Sequence, residues 1–349
     1  MRLATALLAA ISITTAISLS STSQAQRTLR SAAAEHKITI GTAVHSHLLG
    51  DPAYTSVLGP QFSQLEPENE MKFSIIHPLP KVYDFSGADA MVSFARLHHM
   101  LVRGHTLVWH KQVPLWITAG SDNSFQLAEI LQDHIATVMK HYAGEVYAWD
   151  VVNEAFNEDG TMRDTIWYDE PGIGCAYLNT KYVEQAFLWA RAADPNAKLF
   201  YNDYDAEPIN AKSDAIYSMA RDFKKRGVPL DGVGFQLHVT LAFDHPKTLD
   251  SFAANMQRFA NLGLEIHITE LDIRLSDSKP DSLLAQGKLY SEITTLCVQQ
   301  PACKALQTWG FTDAHSWIPG FFPGTGWALP WDSNYQRKPA YFGILKSLE

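Results

Sequence analysis

From residue 38 onward the chain repeats one pattern: a short β-branched or apolar run, then an amphipathic stretch of helical length. Eight runs have strand character, at 38–44, 61–66, 101–109, 146–152, 197–202, 232–238, 264–270 and 305–309. Helix-length segments fall between them, among them 125–142, 179–193, 211–226, 248–262 and 281–299. Parallel strands need crossover connections of this length, and right-handed βαβ units stack them into one sheet. The reading is an α/β protein, and eight units favour closure into a single (β/α)8 barrel over an open doubly wound sheet. No Gly-x-Gly-x-x-Gly follows the first strand, which argues against a dinucleotide-binding fold.

The first residues read as a leader. Arg2 supplies a positive start, residues 3–19 are nearly free of polar bulk, and Ser23-Gln24-Ala25 offers the small residues a signal peptidase cuts after. A signal peptide over 1–25 leaves 26–349 as one catalytic domain and implies a secreted or periplasmic protein. The competing reading is a retained membrane anchor. No later stretch approaches a membrane span, so no membrane association is expected once the leader is removed. A formal net charge of −9 with no Lys/Arg run excludes nucleic acid as a natural partner and suits an uncharged or weakly acidic substrate. No Pro/Ser/Thr-rich linker suggests a second domain, and a monomer is expected. Of the three cysteines, Cys297 and Cys303 are close enough in sequence to bridge a helix end to the last strand in an exported protein. Cys175 is read as a small buried or loop side chain. No Cys/His cluster points to a metal, and no cofactor is expected.

In a barrel of parallel strands, catalytic residues collect at the C-terminal strand ends. Here those ends carry Glu68-Asn69-Glu70-Met71-Lys72, His105 to His110 with Trp109, Asn153-Glu154, Tyr201-Asn202-Asp203-Tyr204, Gln236-Leu237-His238, Glu270 with Asp272, and Trp309 to Trp317. Singly, each has a plain structural reading: a packed indole, a core histidine, a strand-end ion pair, or, for Asn202 and Asp203, a cap or turn residue. Amides, imidazoles, carboxylates and indoles recurring at end after end suit a sugar cleft, where hydroxyls take forked hydrogen bonds and ring faces pack on aromatics. Glu154 and Glu270 each close an apolar run. Two carboxyls facing across such a mouth are the working parts of glycosidic bond hydrolysis.

Seven segments in order carry a family resemblance: Pro67-Glu-Asn-Glu-Met-Lys72, Arg103-Gly-His-Thr-Leu-Val-Trp-His110, Trp149-Asp-Val-Val-Asn-Glu154, Tyr201-Asn-Asp-Tyr204, Gly234-Phe-Gln-Leu-His238, Ile268-Thr-Glu-Leu-Asp272 and Thr308-Trp-Gly-Phe-Thr-Asp313. The chain resembles glycoside hydrolase family 10, the retaining endo-β-1,4-xylanases. The resemblance implies a (β/α)8 barrel that cleaves xylan and xylo-oligosaccharides by double displacement, with Glu154 as general acid/base and Glu270 as nucleophile. It implies that Asn153 contacts the 2-hydroxyl of the attacked sugar and that His238 orients Glu270, with Asp272 in support. Glu68, Asn69, Lys72, His105 and Trp109 would form the glycone side. Gln236 would line the cleft, Trp309 and Trp317 would wall it, and Tyr204 would support it. A disulfide before the last strand, matching Cys297 and Cys303, occurs in many relatives.

Three places depart from the family pattern: Phe73 where Trp is usual, His315 where Tyr is frequent, and an irregular stretch at 167–177. All are expected near the cleft, bearing on subsite preference. Two rivals remain in view. Other retaining barrel glycosidases, such as cellulases and mannanases, often place Pro after the acid/base Asn-Glu, whereas Ala155 stands here. A sugar-binding protein on a dead barrel is disfavoured because both carboxylates and their neighbours are intact. Retention needs the carboxyls about 5–5.5 Å apart. It is also expected that the surroundings of Glu154 raise a pKa, keeping a proton available.

Overall fold

A computed structural model describes residues 27–120, 123–169, 172–173 and 180–349. The predicted leader at 1–25 and Cys175 lie outside these residues. The barrel is as expected. Its strands are β1 (Thr39–Val44), β2 (Gln64–Pro67), β3 (Leu101–Val108), β4 (Ala148–Asn153), β5 (Lys198–Asp203), β6 (Gly232–Phe235), β7 (His238–Thr240), β8 (Glu265–Arg274) and β9 (Cys303–Thr308). All pairings are parallel, running β1 to β6 in sequence order, then β6 to β8, β8 to β9, and β9 back to β1. Short β7 adds to the far end of β8 through His238↔Asp272.

The run predicted at 232–238 is therefore broken. β6 ends at Phe235, and Leu237 turns into left-handed backbone (φ 60°). The buried Glu207 carboxylate accepts the Leu237 N–H at 2.8 Å and holds the break. An L-residue keeps such a backbone only when its neighbours impose it. The break re-aims the side chains on either side, so Gln236 and His238 both enter the cleft.

The outer helices match the amphipathic stretches to within a turn: Ser124–His141, Lys181–Ala193, Ala211–Arg226, Pro246–Ala260 and Pro280–Gln299. Four of the five have a local start signal. Asn123 accepts the Gln126 N–H, Asn210 forms a capping box with Ser213, and Pro246 and Pro280 occupy first helical positions. Helices Pro52–Gln61 and Ser86–Leu97 were not anticipated; the first holds Gly59 and Pro60, which mask its helical character. No helix among the described residues is long and apolar enough to cross a membrane.

Aliphatic and aromatic side chains fill the layer between strands and helices. The barrel interior is instead strongly polar. Arg103, fully buried, forms a fork with Asp150, donates to His267 Nδ1 at 2.7 Å, and lies 3.9 Å from Glu66. Burial and the Asp150 charge push the Glu66 carboxyl well above its ordinary range, while Arg103 and His105 hold Asp150 low despite its burial. Arg103 thus pairs chiefly with Asp150, the carboxyl whose charged form its surroundings favour.

Cys297, at the end of the last long helix, is bonded to Cys303 at the start of β9. The bridge closes a loop of six residues' separation, short enough to limit its entropic stabilisation to about 2–3 kcal/mol. Protein from an oxidising compartment, denatured without reduction, should take up one alkyl group, at Cys175. Replacing both bridged cysteines by Ser should lower the melting temperature and leave turnover per folded molecule unchanged. Alkylation of all three would contradict the bridge.

Candidate active site

The C-terminal strand ends surround a cleft of about 530 Å³. Every residue expected to touch sugar lines it: Glu68, Asn69, Lys72, His105, Trp109, Asn153, Gln236, His238, Trp309 and Trp317. Glu154, Glu270 and Tyr204 line it too. Asp272 does not reach the cleft; it is fully buried behind His238.

Glu270 sits on β8 with both oxygens held. Oε1 accepts the Asn202 carboxamide N–H at 2.7 Å, and Oε2 lies 3.0 Å from His238 Nε2. The other ring nitrogen of His238 is 2.8 Å from Asp272 Oδ2, which also accepts the Trp317 indole N–H at 2.9 Å. Burial alone would lower the His238 pKa, but the flanking Asp272 and Glu270 carboxylates raise it well above the ordinary value. His238 is then a cation donating one hydrogen bond to each carboxylate.

Glu154 follows β4. Its Oε2 accepts the Trp109 indole N–H at 2.8 Å, and Oε1 accepts N–H groups from Asn153 and Gln236, each at 3.1 Å. Trp109 is itself fixed from behind, its carbonyl accepting the Trp167 indole N–H at 2.8 Å. His110 Nδ1 stands 3.7 Å from the carboxylate, but burial pushes that imidazole down to about 4, so it is neutral at neutral pH. The expectation of a raised Glu154 pKa is not met. Burial raises it, yet the Trp109 and Gln236 hydrogen bonds, with smaller contributions from His110 and Lys111, outweigh burial and hold it below the ordinary carboxylate value. Every neighbour that bonds this carboxyl is a donor, and donors stabilise the charged form.

One carboxamide joins the two acids. Asn153 Oδ1 accepts from Asn202 Nδ2 at 2.9 Å and from Gln236 Nε2 at 3.1 Å. The second N–H of each of those amides goes to a carboxylate, Asn202 to Glu270 and Gln236 to Glu154. Asn202 was read in the sequence as a cap or turn residue; it is instead the link between the acids. To reach β8 from β5 its side chain must cross β6, and Gly234 makes room. A Cβ at position 234 would lie 2.2 Å from Asn202 Oδ1 and 2.9 Å from Thr269 Cγ2. Thr269 Oγ1 donates to Asn202 Oδ1 at 2.7 Å, which sets the amide's orientation.

The far side of the cleft is organised by Lys72, whose ammonium donates to Asn69 Oδ1 (3.3 Å) and stands over the Trp109 and Trp309 rings. Burial lowers its pKa against the pull of Glu270, Glu68, Glu154 and Glu66. Glu68 pairs with His45 at 2.9 Å. Glu66, His105 and Asp150 bring three metal-type ligand atoms together at the base, but the cation already seated among these carboxylates is Arg103. Two of the departures stand behind the cleft rather than in its lining. Phe73 is buried in a stack with His134, ring centroids 3.6 Å apart, and His315 contacts Tyr335 and Tyr54; neither lines the cleft. Of the third, Trp167 bonds the Trp109 carbonyl and stacks on Phe73, while 170–171 and 174–177 lie outside the described residues.

Residues 28–347 match Glycosyl hydrolase family 10. The chain belongs to this family. It is 44% identical over 326 residues to endo-1,4-beta-xylanase B of Thermotoga neapolitana, covering 92% of this chain and 91% of that one. To endo-1,4-beta-xylanase C of Phanerodontia chrysosporium it is 42% identical, covering 90% and 77%. Among solved structures, xylanase 10B of Thermotoga petrophila in complex with xylobiose superposes with a TM-score of 0.87 at 45% identity, covering 92% and 97%.

Sequence reasoning did not reach several residues of this family 10 site. Lys111, Asp205, Arg274, Phe321 and Phe322 also line the cleft, and Asn202 and Arg163 hold the acids from behind. Asn202 lay in a segment already singled out, and its position one residue short of the strand end was the available signal. Arg163 sits in a loop with no strand-end signature.

Proposed function

We propose that this family 10 protein is a retaining endo-1,4-β-xylanase that cleaves internal bonds of xylan, with Glu270 as nucleophile and Glu154 as acid/base. The observation that carries this is the single amide relay between the two carboxylates. Glu270 has both oxygens tied to donors, Asn202 and a His238 cation, that orient it as an anion. Glu154 faces it from the end of β4, at the aromatic and cationic side of the cleft formed by Trp109 and Lys111. In the first step Glu270 attacks the anomeric carbon, the glycosidic bond breaks, and the departing oxygen takes the proton of Glu154. In the second, Glu154 removes a proton from water, which displaces Glu270 and restores the sugar hydroxyl.

The subsite reading follows the same geometry. Glu68, Asn69, Lys72 and His105 supply the polar edge that hydroxyls on the glycone side require, and Trp109, Trp309 and Trp317 supply ring faces. Asn153 presents its amide beside Glu154, where a 2-hydroxyl would meet it. A leader at 1–25, action outside the cytoplasm and a monomeric state belong to this reading. Product analysis tests the substrate class: linear xylan should yield xylo-oligosaccharides, while unbranched cellulose and mannan stay essentially intact. Equal or faster release from cellulose or mannan would overturn it.

The low Glu154 pKa bears on pH dependence. Glycosylation needs the protonated acid, so activity falls as pH rises through that pKa. Bound sugar expels water from the cleft and adds to the burial that already opposes the charge, raising the pKa in the complex. The alkaline limb of kcat/KM, which reports the free enzyme, should lie at lower pH than the alkaline limb of kcat. Coincident limbs in the two profiles would contradict this.

A further inference from the structure

Glu154 has left-handed backbone, φ 58°. A residue with a Cβ holds that conformation only where the surroundings dictate it. Its N–H continues the barrel ladder to the Asn202 carbonyl at 2.9 Å, but the chain beyond it leaves the sheet. Three successive carbonyls then need partners, and one residue serves all three. Arg163 Nε donates to the Glu154 carbonyl at 3.1 Å, its backbone N–H to Ala155 at 2.8 Å, and a terminal nitrogen to Phe156 at 2.9 Å. That same nitrogen donates to the Tyr204 hydroxyl at 3.0 Å, whose own proton goes to Glu158 at 2.7 Å. The guanidinium is a rigid planar fork, so fixing one of these contacts fixes the angles of the others.

We propose that Arg163 is a positioning residue for the acid/base: it sets the direction of the Glu154 carboxyl by clamping the main chain on its C-terminal side, without touching the carboxylate. This rests on the reading of Glu154 given above. The neighbouring elements suit the role. Tyr204 lies over the buried Lys212 ammonium, 3.5 Å from the ring centroid, and Lys212 pairs with Asp203 at 2.9 Å, so the group that receives Arg163 is itself anchored. Nothing in the clamp touches Glu270. Loss of Arg163 should therefore impair proton donation and spare nucleophilic attack.

The test exploits leaving-group chemistry. Wild type, Arg163→Met, Arg163→Lys and Glu154→Ala are compared by kcat/KM on an unactivated xylo-oligosaccharide and on a xylobioside with a 2,4-dinitrophenolate leaving group, which departs without a proton. General-acid assistance is worth about 10²–10⁴-fold, so both Arg163 variants should lose roughly 10²-fold or more on the oligosaccharide and only a few-fold on the activated substrate. Lys keeps the charge but cannot serve the carbonyls of 154 and 156 together, so it should resemble Met. Equal losses on both substrates, or Arg163→Lys matching wild type, would overturn the proposal; should Arg163→Met fail to fold, Arg163→Lys decides alone. Glu154→Ala separates the two readings. It must show the same selective pattern, only deeper, and losing both substrates equally would remove Glu154 from its role and this inference with it.

Discussion

The site depends on an amide being able to cross a strand. Asn202 starts on β5, passes over β6 and meets Glu270 on β8, and it does so because residue 234 has no Cβ. From that crossing the rest follows. Its second N–H fixes Asn153, Asn153 accepts Gln236, and Gln236 reaches Glu154, so β4, β5, β8 and the break after β6 are tied through side chains at the height where the acids stand. Buried amides of this kind are costly unless every member is satisfied. Here Thr269 supplies the last missing donor.

Electrostatics divide the two carboxyls by surroundings rather than by residue type. Glu270 is paired with a histidine that two carboxylates keep protonated. Glu154 accepts three neutral N–H donors, which with the nearby Lys111 charge stabilise its anion. Beneath both, Arg103 and Asp150 fill the floor with an ion pair, while burial and the Asp150 charge push the Glu66 carboxyl up.

Much of this was legible in the chain. The strand–helix alternation favoured the barrel, and the polar strand ends together with the family resemblance marked the expected cleft lining, because parallel barrels put those ends in one place. Three things were not legible, each for a physical reason. The β6–β7 break depends on Leu237 adopting a backbone its own side chain disfavours, imposed by Glu207 from another segment. Arg163 acts through main-chain carbonyls, which leave no mark in residue types. Phe73 follows a cleft lysine but opens a helical turn, and that turn carries it into the stack with His134. Sequence adjacency to a site residue is a poor guide once the strand has ended.

The central claim is that Glu270 forms a covalent bond to the sugar, and trapping that bond tests it most directly. A xylobioside with fluorine at C2 and a good leaving group slows both steps through the electron-poor anomeric carbon, and the leaving group restores the first. Incubation followed by peptic digestion and mass spectrometry should show one adduct with the mass of the fluorinated disaccharide, on the peptide containing Glu270. An adduct on another residue, or turnover-dependent release of the leaving group with no trapped ester, would contradict the account.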